Sequence, residues 1–474
     1  MSKTPLFLFV AFLIVLLSYS CRKDVLIDDS SAKLEFSTDS ILFDTVFSAI
    51  GSATQNFRVY NRHNKTIKIS SIKLGGGQAS NFRINVDGVP GVSFTDVEIL
   101  PKDSIFIFVE VTVDPDSQAT PYIVTDSVIF ITNNNVQKVD LAAWGQNAYF
   151  HYNDTGQPFN IYDFDCYSCF PVDCNTSWPV DKPHIVFGYA VIDSNCTLTI
   201  PAGAKIYFYN NSGMLAYKAA TLKVEGTIAD PVNFEGFRRE QHYADVPGQW
   251  DRIWLAPGSR DNEISNARIK NGNVGLHVDT VGSGNPTLTL KNTIISNMAT
   301  IGVLAQGAKI DAENSVISNC GARMLALTLG GEYSFTHCSF GNFWSHSIRQ
   351  TPSILLNNYY VDVNNQIQLR DLILADFGNS IIWGSENEEL EFVFNAQAQS
   401  NYFFDNCIIR SGHTGNMVNV IKQDPKFSDD STLELGEGSP AINSGAINIA
   451  AGVPLDIKGN DRTATPDRGA WEKQ

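Results

Sequence analysis

One phrase recurs through the middle of the chain: Asn266-Ala-Arg-Ile-Lys-Asn271, Asn292-Thr-Ile-Ile-Ser-Asn297 and Asn314-Ser-Val-Ile-Ser-Asn319. Each leads through a glycine-containing turn into a second apolar run, at 274–278, 301–304 and 324–327. Asn266 to Asn292 is 26 residues and Asn292 to Asn314 is 22. That period suits one coil of a parallel β-helix and is too short for a strand–helix–strand unit. Within the phrase, Ala267/Ile269, Thr293/Ile295 and Ser315/Ile317 share a face because side chains alternate along a strand. A small residue thus sits beside a large apolar one facing inward, while Lys270, Ser296 and Ser318 face solvent.

The phrase returns as His337-Cys-Ser-Phe-Gly-Asn342, Asp371-Leu-Ile-Leu-Ala-Asp376 and Asn406-Cys-Ile-Ile-Arg-Ser411, at intervals of 23, 34 and 35 residues. The later coils therefore carry longer loops. Stacking places Asn266, Asn292, Asn314 and Asn406 in one column, interrupted by His337 and Asp371, where amides can bond between coils. No helical periodicity separates the apolar runs, which excludes a doubly wound α/β fold. The expected class is all-β: an immunoglobulin-like β-sandwich followed by a right-handed parallel β-helix of about eight to ten coils.

Composition bounds the partners. With 43% hydrophobic residues the chain can fill more than one core, and its net charge of -16 argues against nucleic acid. The same charge disfavours uronate polymers unless a basic patch or Ca²⁺ intervenes.

At the N-terminus an apolar stretch from Pro5 to Leu17 follows Lys3, too short for an ordinary transmembrane span, which reads as an export signal over 1–20. It ends in Ser18-Tyr-Ser-Cys21, which resembles a bacterial lipobox. The resemblance implies that Cys21 is lipidated and that 21–32, with Arg22-Lys-Asp24 and Asp28-Asp29, tethers the protein to the outer membrane or cell surface. An ordinary signal with an incidental cysteine is the alternative.

Residues 33–148 alternate strand and turn signals, as in Ser104-Ile-Phe-Ile-Phe-Val-Glu-Val-Thr-Val113, and read as a β-sandwich of about seven strands. The phrases Phe57-Arg-Val-Tyr-Asn61, Leu100-Pro-Lys-Asp-Ser104 and Ala143-Trp-Gly-Gln146 resemble PapD-like sandwiches of the Hydin kind. The expected role is a spacer or interaction module. Five Asp-Ser/Thr-apolar triplets begin at Asp39, Asp44, Asp103, Asp126 and Asp279; they resemble O-glycosylation acceptors, though a turn residue entering a strand is the favoured reading.

Cysteine concentrates in 149–196, read as a linker and N-terminal cap: Cys166, Cys169, Cys174 and Cys196. In an exported protein these form two disulfides, with three connectivities open, or a zinc site built from all four cysteines. Cys320, Cys338 and Cys407 fall at inward positions and read as inert core thiols. The β-helix then occupies 197–423 and a C-terminal coil and cap 424–474. Asp181-Lys-Pro-His184, Leu198-Thr-Ile-Pro-Ala-Gly203 and Pro247-Gly-Gln-Trp250 resemble the opening coils of right-handed β-helix lipoproteins. Asp424-Pro-Lys-Phe427, Ser439-Pro-Ala-Ile-Asn-Ser-Gly445 and Asp467-Arg-Gly-Ala-Trp-Glu472 resemble the end of surface β-helix proteins of the choice-of-anchor Q type. That family implies an architecture and no agreed activity.

Parallel β-helices also include polysaccharide lyases and glycoside hydrolases. Arg268-Ile-Lys270 and Gly412-His413 resemble polygalacturonase motifs, but in the reverse order, and no pair of aspartates stands in a suitable coil. Asp429-Asp430 reads as a turn. A lyase needs a base with Ca²⁺ or arginine beside it, for which Arg238, Arg239, His242 and Tyr243 are the candidates. No Asp-x-Asp-x-Asp-Gly loop is present, no cofactor or metal is expected, and Ca²⁺ stays open. A glycan binder needs exposed aromatics; Trp344, Tyr359, Tyr360 and Trp383 are the candidates, with Trp250 and Trp254 assigned to packing. The leading expectation is a lipid-anchored adhesin or glycan-binding protein whose partner is a polysaccharide or other surface glycan. A lyase or hydrolase is second and an architectural envelope component third.

Overall fold

The computed structural model describes residues 25–48, 50–114, 122–279 and 285–474. The signal segment and Cys21 lie outside the described residues, as do Thr280 and Val281. The chain divides into two compact units, Met1–Asn147 and Ala148–Gln474.

Alternation builds the first unit. Along Ser104–Val111, Ile105, Ile107, Val109 and Val111 are buried and their neighbours are not. This strand lies in a five-stranded sheet with Glu35–Phe36, Gln55–Tyr60, Phe82–Val86 and Val89–Gly91. A second five-stranded sheet holds Ser40–Phe47, Asn135–Gln146, Tyr122–Thr132, Ser71–Leu74 and Ser93–Phe94. Their inner faces share one core, in which Phe57 of the first meets Phe130 of the second edge-on at 6.2 Å. Asn61, fully buried, donates from Nδ2 to the carbonyls of Lys65, Ile99 and Leu100, so two of the phrases singled out in the sequence close on each other. In three of the triplets the aspartate accepts from the next backbone N–H, at Thr45, Ser104 and Ser127; Asp103 stands at the entry to a strand, whereas Asp44 and Asp126 lie within strands.

The second unit is a parallel β-helix. Its first sheet has ten strands, from Tyr149–His151 to Ile408–Ile409; its second has nine, from Cys169–Pro171 to Leu390–Val393; its third has ten, from Thr176–Ser177 to Met417–Val418. Each coil but the last contributes one strand to each sheet in turn, the last having none in the second, and the right-handed wind follows the rule for parallel crossovers. Ile269, Ile295, Ile317, Phe340, Ile382 and Ile409 pair in one column of the first sheet. All six are buried, within a continuous core.

The corner before that sheet is occupied by Asn266, Asn292, Asn314, His337, Asn379 and Asn406, with φ between 47° and 53°. Asparagine recurs because its short polar side chain tolerates the left-handed conformation that the turn requires. Two expectations change here. Asp371 is not in the column: 372–378 pairs in the third sheet, and Asn379 holds the corner. The phrase looks alike on either sheet because both alternate with the same period. Nor do the four asparagines form an amide ladder. Asn266 donates to Gly226 O, Asn314 to Leu455 O and Asn406 to Asp405 Oδ1; the one rung seen in the column joins Asn379 Nδ2 to His337 Nε2 at 3.0 Å. The turn carbonyls are met instead by the next residue inward, as from Thr293 Oγ1 to Lys291 O and Ser315 Oγ to Glu313 O.

The Cys-rich segment is itself a coil. Its strands 149–151, 169–171 and 176–177 pair in parallel with the coil that follows, because their apolar side chains continue the same columns. Two disulfides, Cys166–Cys169 and Cys174–Cys196, select one connectivity and leave no zinc-ligand set. Burial pushes the Cys320, Cys338 and Cys407 thiols up to about 12, which holds them protonated.

The C-terminal segment runs along the side of the stack. Leu433, Leu435, Ala441, Ile457, Ala470 and Trp471 cover the outward Val316, Ile381, Trp383 and Ile408 of the first sheet. Gly341 lies beneath Leu433 so closely that a Cβ there would meet its Cδ2 at 2.4 Å. The closing phrase latches this strap: Arg468 donates to Cys407 O and Asn419 O, and Trp471 Nε1 to Thr432 O.

Candidate functional site

A β-helix offers its three outer faces, and loops decide which stays open. On the first sheet the strap takes the lower coils, and the loop after Phe237 takes part of the upper ones. In that loop Arg238 pairs with Glu240 and lies 4.0 Å over the Tyr243 ring; Arg239 pairs with Glu235 and lies 4.6 Å over Tyr207. The His242 ring lies tilted against Tyr243 at 4.3 Å. The loop hangs from the stack by Asn271 Nδ2 to Ala244 O and Asn297 Nδ2 to Asp245 O. Both guanidinium groups are thus spent on nearby carboxylates, which corrects their reading as a base cluster for uronate.

The aromatic candidates also separate. Trp383 is 9% exposed, sealed under Leu435 and Ala441, because the strap returns over its face. Trp344 is half-buried, against Gly321, with Nε1 on Ser347 Oγ. Tyr359 and Tyr360 begin a hairpin, Tyr359–Val361 with Ile367–Leu369, where Tyr360 is 49% exposed. Trp344 follows a first-sheet strand and the tyrosines a second-sheet strand of the same coil, so the tryptophan and the tyrosine pair stand at different corners. Arg268 and His413 lie about five coils apart, about 24 Å along the axis. Asp429 Oδ1 accepts from Ser431 and Thr432, bonds that hold its carboxyl at about 2, as a turn residue would be.

The second sheet carries the pocket. A hairpin, Phe159–Ile161 with Phe164–Cys166, folds from the first coil across this sheet and is pinned by Cys166–Cys169. Ile161 of the hairpin packs with Cys169, Val191, Leu215 and Ala256 beneath it, with Tyr217 and Trp254 at the edge. Between hairpin and sheet is a pocket of about 430 Å³ lined by Tyr162, Phe164, Tyr189, Asp251, Arg252, Trp254 and His277, among others. Register brings its floor together: Leu215, Trp254 and His277 occupy one outward column in successive coils. The 23-residue step from Trp254 to His277, close to the coil period, was the one sign of this in the sequence.

The polar side chains form one chain of hydrogen bonds. Tyr189 OH donates to Asp251 Oδ2, and Arg252 clasps the same carboxylate with Nε and Nη2, each at 3.1 Å. Arg252 Nη1 reaches His277 Nδ1 at 3.3 Å. Arginine only donates, so Nδ1 accepts and the ring proton sits on Nε2, which faces Asp279 Oδ1 and Gln306 Oε1, each at 3.2 Å. Trp254 Nε1 donates to Asp279 Oδ2 at 2.6 Å and its ring lies parallel to His277 at 5.5 Å. Burial first, and the Asp251 carboxylate second, raise the Tyr189 phenol above its ordinary range. Burial raises Tyr162 to about 12.

Such an arrangement can grip a ligand, with aromatic faces above and below and fixed donors and acceptors at the side. It is poorly made for hydrolysis. Asp251 lies level with Val274, five residues short of Asp279, so their backbones are about 17 Å apart, and both carboxylates are already engaged, Asp251 by Tyr189 and Arg252 and Asp279 by Trp254 and His277. Among the described residues no cluster of three or more His, Cys, Asp or Glu is placed to hold a metal.

No family model matches the chain, and no curated protein matches it. Among solved structures, the catalytic unit of a GH87 α-1,3-glucanase from Streptomyces thermodiastaticus is similar over 74% of this chain and 79% of that one, at 11% identity and TM-score 0.27. A PapD-like domain of human CEP192 is covered over 92% of its length by 27% of this chain, at 12% identity and TM-score 0.18. A family 123 glycoside hydrolase from Clostridium perfringens matches over 24% of this chain and 26% of its own, at 8% identity and TM-score 0.17. Likenesses this distant carry no argument about activity.

Proposed function

We propose that this is a glycan-binding protein, held at a bacterial cell surface by a lipid on Cys21, that captures a polysaccharide without cleaving it. One observation carries the reading: the hairpin pocket sets the Tyr162, Phe164 and Trp254 rings around a space whose wall holds Asp251, Arg252 and His277. A sugar ring presents apolar C–H faces and an equatorial belt of hydroxyls, and such a site offers a counterpart to both. A glycan array probed with the full chain, followed by product analysis on the hits, tests it. Trp254→Ala is expected to lower affinity at least tenfold, about 1.4 kcal/mol. Unsaturated or reducing ends released from a bound glycan would overturn the non-catalytic reading.

A glycan hydrolase is the second reading, and one observation favours it. On the third sheet Asp376 and Asp405 stand on adjacent coils, Gly378 pairing with Asp405, so their backbones are about 8 Å apart. Burial, and then the Asp405 charge, raise the Asp376 carboxyl, as a general acid requires. Turnover abolished by Asp376→Asn would favour this reading over simple capture.

A further inference from the structure

At the corner between the first and second sheets one residue in each of the first four coils is aromatic. His151 pairs with Val186, Val186 with Phe208, and Phe208 with Gly236. The residues that follow are therefore in register: Tyr152, Phe187, Tyr209 and Phe237. Backbone bonds confirm the alignment, Phe187 N to His151 O, Tyr209 N to Val186 O and Phe237 N to Phe208 O. The rings of the last three gather into one aromatic surface: Phe187 and Tyr209 lie 5.0 Å apart and tilted, Tyr209 and Phe237 5.5 Å apart and edge to face, and Phe187 and Phe237 6.3 Å apart.

This column differs from the structural stacks of the same fold. Phe335, Phe377 and Phe404 stack inside the prism and are almost wholly buried. In the outer column Tyr152 is 55% exposed and Tyr209 46%, with Phe187 and Phe237 half-buried. An aromatic left half in water forgoes much of what burial would contribute. The column is also continuous with the pocket, since Phe187 leads through Gly188 to Tyr189 in the pocket wall.

We propose that these four rings are a track extending the pocket, on which successive rings of an uncharged, unbranched polysaccharide lie parallel to the helix axis. This rests on the glycan-binding reading and adds polymer class and direction to it. Three coil steps span about 14 Å, the length scale of a few rings of an extended pyranose chain. Charge selects the class. The cations that follow Phe237, Arg238 and Arg239, are paired with Glu240 and Glu235, and Arg252 in the pocket is clasped to Asp251. A polyanion would meet paired cations on a chain of net charge -16.

Calorimetric titration of the full chain with neutral linear gluco- and manno-oligosaccharides, from disaccharide to hexasaccharide, tests the track. Affinity is expected to rise about tenfold from disaccharide to tetrasaccharide. The rise is lost in Phe187→Ala/Tyr209→Ala, and in Phe187→Leu/Tyr209→Leu, which keeps apolar bulk at the corner, while disaccharide affinity is retained. Length-independent binding by the parent chain, or a rise unaltered in both variants, overturns the track and leaves the pocket reading standing. Oligogalacturonate bound as tightly as the neutral series overturns the choice of class. If none of the neutral series binds, track and pocket readings fall together.

Discussion

Acid should loosen the first coils through a pair of imidazoles. His184 Nε2 lies 2.8 Å from Pro179 O and His151 Nε2 lies 2.8 Å from His184 Nδ1. A carbonyl only accepts, so His184 carries its proton on Nε2 and accepts at Nδ1, and His151 donates. Trp178 stacks on both rings at 4.4 Å. Burial, and then the facing His184, push His151 down to about 4; burial also lowers His184. An unfolded histidine titrates near 6.5, so as pH falls the unfolded chain takes up its proton first, and stability declines from about pH 6.5 until folded His151 titrates near 4. At about 1.36 kcal/mol per unit, His151 accounts for a loss of about 3 kcal/mol across that window. Chemical denaturation across the window, for the parent chain and His151→Gln, measures it. Glutamine keeps a donor toward His184 but does not titrate, so the difference between the two isolates His151 from the other acid-sensitive groups. Equal pH slopes for parent and variant would refute the argument. The hairpin over the pocket springs from this same coil, so ligand affinity should fall in the same window.

Three further outcomes are expected. Arg349 and Glu389 are buried and joined by two bonds of 2.7 and 2.9 Å, with Ser353 also on the carboxylate; Arg349→Met should cost about 3–5 kcal/mol in an unfolding titration, because it strands a buried charge. Glu472 is pushed up to about 7 by burial and the nearby Asp467. Its folded value exceeds the unfolded one, so its ionisation costs stability as pH rises from about 4.5 through 7; Glu472→Gln should therefore lose less stability than the parent between pH 4 and pH 8 in thermal melts, whatever it loses at both from its contact with Arg462. Cys174→Ala/Cys196→Ala opens a loop with a sequence separation of 22, and should lower stability by about 3 kcal/mol in denaturant titrations run without reductant.

Much of the architecture was legible in the chain. Ile269, Ile295 and Ile317 recur at coil spacing beside small residues, and all three face the core because alternation and period together allow one winding. The four clustered cysteines were legible as a pair of bridges, though not their pairing, which depends on which coils adjoin. Errors came where two faces share one pattern. Asp371 opens a phrase of the right form on the wrong sheet, and Trp383 sits at an outward position that the strap happens to cover.

The pocket was not legible. Tyr162 and Phe164 reach Trp254 and His277 only because a hairpin from the first coil folds back over coils far along the chain, and the small step from Trp254 to His277 says nothing of that cover. Periodicity is a local property: it separates inside from outside, and here it determined the prism, its period and its filling. Which outer surface remains open depends on where distant segments come to rest, and that is decided by apolar area buried in the assembled stack. The strap closed the first sheet and the hairpin left a space on the second, so the candidate site belongs to the tertiary structure.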